Sequence, residues 1–150
     1  MARSLFSTQT PSTPWHLWLV GILALLWNGM GAMDYLLTQT RNSEYMAQFS
    51  QEQLAFFYGF PSWVVAAWAI AVWGGVLGAI LLLMRRRLAI GVFLISLLAM
   101  VLTTVHNYLM VDGMAVIGDP FSLGFTATIF VVALLLYLYS KRLGQQGRLR

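Results

Sequence analysis

The chain contains no cysteine, so disulfides, thiolate nucleophiles, iron–sulfur clusters and cysteine-based zinc sites are excluded. Charge is almost as scarce: Asp, Glu, Lys and Arg make up 9 % of 150 residues, and histidine occurs only at His16 and His106. One histidine near each expected membrane face counts against a bis-histidine haem. With only scattered acids besides, the chain also lacks a recognisable zinc or di-iron ligand set. A Walker loop, a GxSxG elbow, a dinucleotide fingerprint and a paired-carboxylate motif are missing too. The expectation is therefore no cofactor and no metal.

What the chain has in abundance is apolar sequence. Hydrophobic residues reach 59 % and the mean hydropathy is +0.74, well beyond a soluble domain. The fold class expected is an all-α membrane protein, a four-transmembrane-helix bundle forming one integral domain over residues 1–150, with spans at about 15–37, 62–84, 88–110 and 122–140. The partner this implies first is the lipid bilayer.

Arg85, Arg86 and Arg87 interrupt two long apolar runs. A guanidinium at the bilayer centre costs about 2.5–3.5 kcal/mol on insertion scales, so this triplet marks a hairpin turn in water or among head groups. Basic loops stay cytoplasmic. With the triplet inside, Arg3, Lys141, Arg142, Arg148 and Arg150 fall on the same side, eight of the nine basic residues, and all five acids lie outside or at the outer boundary. Both termini are then cytoplasmic. The net charge of +4 marks this rim, and no nucleic-acid partner is expected. The first span has some ingredients of a secretory signal, but its long apolar run preceded only by Arg3 reads as a retained helix.

Between the first two spans, Ser50-Gln51-Glu52-Gln53 has the form of a capping box ahead of Leu54, Phe57 and Tyr58, which predicts a short amphipathic helix on the outer interface. The second span carries Ala67, Ala71, Gly75 and Ala79 at intervals of four, with Gly74 and Gly78 beside them. Such spacing lets helix backbones approach closely, within the bundle or across a homo-oligomer seam.

Polar residues gather toward the outer ends of the first and third spans: Asn28, Asp34 and Tyr35 on one, Thr103, Thr104, His106 and Asn107 on the other. The substrate-binding set expected from this is Asn28, Asp34, Tyr35, Thr103, His106 and Asn107, lining an outward-facing pocket for a small solute. Asp34 and His106 have alternative uses as an interhelical staple, or as the acid and base of an enzyme acting on a lipid or quinone, although no enzyme motif accompanies them.

The strings WHLWLVGILALLWNGMGAMDYLLTQTRN, FYGFPSWVVAAWAIAVWGG and TTVHNYLM resemble a group of small proteobacterial inner-membrane proteins that carry the label "sugar transporter". The resemblance implies a four-helix bacterial inner-membrane protein and a sugar-like solute. Two functions are expected from the sequence: a solute-binding or transport protein, and a non-transporting scaffold or accessory subunit that docks a partner.

Overall fold

Helix α1 (Trp15–Gln39) starts after Pro14, whose extended backbone supplies no side-chain cap. The computed structural model describes residues 13–150; Arg3, counted above with the basic rim, lies outside them. Beyond α1 the chain folds into a short helix α2 (Ser43–Met46), capped by the Asn42 side chain, and then α3 (Gln51–Tyr58). The expected capping box is present there, with Gln53 N–H donating to Ser50 Oγ and Ser50 N–H to Gln53 Oε1.

Three long elements follow. Helix α4 (Ser62–Leu83) begins after Pro61, and α5 (Leu88–Val105) passes without a break into a π-helical turn, His106–Met110. A short α6 (Met114–Ile117) leads to α7 (Pro120–Gln145). Four segments are long and apolar enough to cross a membrane: Trp15–Gln39, Ser62–Leu83, Leu88–Met110 and Pro120–Gln145. This is the composition of a multi-pass membrane bundle.

The fourth span differs from the expected 122–140 at both ends. Pro120 occupies the first turn, where a missing N–H costs nothing, and the Asp119 carboxylate accepts from Ser122 N–H at 3.0 Å. At the other end the helix runs past Lys141 and Arg142, because cations oppose the negative end of the helix dipole and reach water on long stems.

Helices α1, α4 and α7 terminate alike. The backbone turns left-handed at Arg41 (φ 52), Arg85 (φ 57) and Gly147 (φ 71). The following amide then returns to the last turn: Asn42 to Leu37 O, Arg86 to Leu81 O and Arg148 to Leu143 O. An arginine in this conformation costs about 1–2 kcal/mol that glycine does not.

Helix α4 lies between α1 and α5, and α7 packs on α5. The core cluster of Leu17, Ala24, Ala79, Leu82, Ala89, Phe93, Leu136, Leu143 and Leu149 sits toward the arginine turn. The chain's last residues join it there: Arg87 N–H donates to Arg150 O at 2.6 Å and Arg150 N–H to Arg85 O at 2.7 Å. Arg85 also donates to Thr13 Oγ1 at 2.8 Å. The start of α1 and the end of α7 therefore meet at one end of the bundle, called here the arginine end; the loops carrying Glu44, Glu52, Asp112 and Asp119 form the acidic end.

Candidate functional site

The small residues of α4 are filled by the chain itself. A Cβ on Gly75 would run into the Asn28 side chain, and one on Gly78 would stand 2.6 Å from the Phe93 ring. Gly74 faces Ser96, whose hydroxyl crosses between helices to donate to the Ala71 carbonyl. Ala67 and Ala79 are buried. The ladder thus serves packing against α1 on one side and α5 on the other. Ser96, absent from the sequence-derived set, had one signal: a lone hydroxyl among aliphatic residues in a span needs an acceptor.

The polar residues near the acidic end are each engaged locally. Asn28 Nδ2 donates to Ala24 O at 2.8 Å. Asp34 accepts a hydrogen bond from the Tyr45 hydroxyl, which α2 folds back over the end of α1. Thr103 and Thr104 both donate to Met100 O, at 2.8 and 2.9 Å. His106 Nδ1 lies 3.0 Å from Asn107 Oδ1, and with the amide oxygen as acceptor Nδ1 carries the proton. Asp34 and His106 therefore bond to different partners. Burial, reinforced by the bond to Asp34 and by its charge, pushes the Tyr45 phenol well above its ordinary value of 10.0.

Aromatic rings tie these groups together. Tyr35 meets Trp68 edge-on at 4.9 Å, Trp68 meets Phe60 at 6.1 Å, and Phe60 meets Phe57, which continues through Phe49 to Tyr45. His106, only 4 % exposed, is held between Phe60 and Trp63 with centroids at 5.7 and 5.4 Å. The loop between α1 and α4 is thus a folded lid stapled by edge-to-face pairs, each worth about 0.5–1.5 kcal/mol beyond its buried area. Phe60, Tyr45 and Phe49 were not singled out from the sequence. Their signal was aromatic density in a stretch otherwise read as polar loop.

Two cavities stand out. One of about 400 Å³ opens beside the π-helical turn and is walled by Thr104, Val105, Tyr108, Leu109, Met114 and Leu123. The other, of about 310 Å³, lies at the arginine end between α1 and α7. None of Asn28, Asp34, Tyr35, Thr103, His106 and Asn107 lines either one. No group of three His, Asp or Glu side chains gathers as a metal site among the described residues.

Helix α7 differs from its neighbours. Its buried residues, Leu136, Ser140, Leu143 and Gly144, all belong to its last ten residues. Along the preceding four turns Gly124, Ala127, Thr128 and Val131 are exposed, and a Cβ on Gly124 would meet nothing within 4 Å. At 100° per residue these four share a face with Leu135, turned away from Leu136 and Leu143. Leu123, one residue before Gly124, lines the 400 Å³ cleft. Compared with known proteins, the chain matches no family model, no curated protein and no solved structure.

Proposed function

We propose that this chain is a non-transporting subunit of the bacterial inner membrane, with its arginine end cytoplasmic, that seats a transmembrane helix of a partner protein against α7. The observation that carries this reading is the first four turns of α7, which hold no buried residue and where Gly124, with open space beside its Cα, and the exposed Thr128 form a small-x3-small pair. Inside a bilayer a helix bonds its own backbone and can therefore lie against such a face, and small residues allow the close approach that drives association there. The cleft bordering the face takes a large apolar side chain of the partner. Of the polar groups expected to bind solute, Asn28 and Thr103 bond to backbone, Asp34 to Tyr45, and His106 and Asn107 to each other, which favours docking over a sugar-like ligand.

Because the chain has no cysteine, single cysteines placed along residues 121–135 report neighbours cleanly. Cross-linking in native membranes is expected to give one heteromeric adduct with a helical period, strongest at 124, 128 and 131 and absent at the control Gly91→Cys. Adducts only with lipid or with a second copy overturn the reading. So does loss of small-solute binding on His106→Ala with no heteromeric adduct at any position.

A further inference from the structure

The 310 Å³ cavity at the arginine end belongs neither to the lid nor to the docking face. Its walls are His16, Tyr139, Arg142, Leu143, Gln146 and Arg148. His16 stands in the first turn of α1 and Tyr139 less than two turns before the end of α7, at the depth where the spans leave the apolar core. Trp15 and Trp18 are exposed at this same level, as interfacial aromatics are. His16 Nδ1 and the Tyr139 hydroxyl are 2.5 Å apart, with the rings edge-on at 5.7 Å, so one wall is a fixed polar pair. Another wall is the left-handed turn after α7, where Arg148 N–H bonds to Leu143 O. Leu143 is 2 % exposed and forms an apolar floor.

The charge around this cavity is of one sign. Arg85, Arg86, Arg87, Lys141, Arg142, Arg148 and Arg150 all belong to this end, whereas Asp34, Glu44, Glu52, Asp112 and Asp119 all belong to the opposite half. A recess lined by two arginines, a tyrosine and a histidine over an apolar floor suits a compact anion with several oxygens and an organic substituent. Guanidinium forks match phosphate oxygens in pairs, and basic recesses between membrane helices take phosphorylated head groups.

We propose that this cavity binds a phosphate ester, held by Arg142 and Arg148, with Tyr139 and Gln146 completing the polar wall and the ester's carbon side on Leu143. The phosphate comes either from an anionic lipid head group or from a soluble phosphate compound. This is independent of the docking reading, since the docking face lies in the other part of α7, at the acidic end.

The test uses the full chain in a neutral detergent, with phosphatidylglycerol, phosphatidylcholine and inorganic phosphate as separate probes. Thermal unfolding and native mass spectrometry read the binding. One phosphatidylglycerol retained per chain, in preference to the zwitterionic lipid, supports a lipid source. Stabilisation by inorganic phosphate without a lipid preference supports a soluble one. Arg142→Gln and Arg148→Gln are each expected to weaken the bound probe about fivefold. Lys141→Gln, which removes the same charge one residue from the cavity wall, is expected to leave binding unchanged. Equal loss in Lys141→Gln and Arg142→Gln would mean diffuse attraction to a basic rim and overturns the site, as does a failure of all three probes to bind.

Discussion

Helices α4 and α7 carry the same kind of signal to opposite uses. In α4, Gly74, Gly75 and Gly78 are closed over by Ser96, Asn28 and Phe93, because α4 is the middle helix and has a neighbour on each side. In α7, Gly124 faces open space, because α7 sits at the edge and its buried residues are confined to its last ten positions. A small residue in a span is an opportunity for close approach. Whether the chain itself uses that opportunity depends on where the helix stands in the bundle.

The contrast can be broken most forcefully in α4. Gly75→Leu drives a side chain into Asn28 where the backbones of α1 and α4 are already close, and overpacking of this kind is expected to cost about 3 kcal/mol. Unfolding in detergent micelles measures it; a loss under about 1 kcal/mol would mean that the α1–α4 contact yields easily and that the two helices are less different than described. Tyr45→Phe tests the lid and is expected to cost about 1 kcal/mol through the lost bond to Asp34. It has a pH signature as well. Tyr45 holds its proton more tightly folded than unfolded, so its contribution is fully present below about pH 10 and is lost as pH rises beyond it. The variant should lack that part of the alkaline decline in melting temperature, and an identical decline in both proteins would remove Tyr45 as its source. Gly124→Leu is expected to change the stability of the isolated chain by less than about 0.5 kcal/mol, while abolishing the heteromeric adduct on α7. A stability loss as large as that of Gly75→Leu would show that α7 is packed inside the bundle after all.

Much of the architecture was readable from residues alone. Hydropathy and the Arg85-Arg86-Arg87 triplet define four spans and one tight turn, because lipid penalises charge so heavily that few alternatives survive. The capping box at Ser50 was equally direct. The end of α7 was not, since Lys141 and Arg142 look like a stop although a helix accepts cations at its C-terminal turns. The candidate site was the least legible part. Asn28, Asp34 and His106 were identified as groups needing partners, but which partners they take depends on how the loop folds back. Tyr45 reaches Asp34 only because α2 and α3 form a lid, and Phe60 reaches His106 only because Pro61 redirects the chain into α4. A single pocket-lining face for Thr103, His106 and Asn107 would need an advance of about 100° per residue, and the π-helical turn at His106–Met110 advances less than that.

The turn at His106–Met110 has a bearing on how the chain can vary in length. A π-helical turn closes over one more residue than an α-helical one, as the bond from Val111 N–H to His106 O records, so it amounts to an insertion absorbed without ending the helix. Deleting one residue there would return the ladder to α-helical spacing while leaving the segment that leads into α7 close to its present direction. The third span would keep its register with α4 throughout. The acidic end thus holds a place where a single codon lost is taken up by the turn itself and spares both the loop and the bundle.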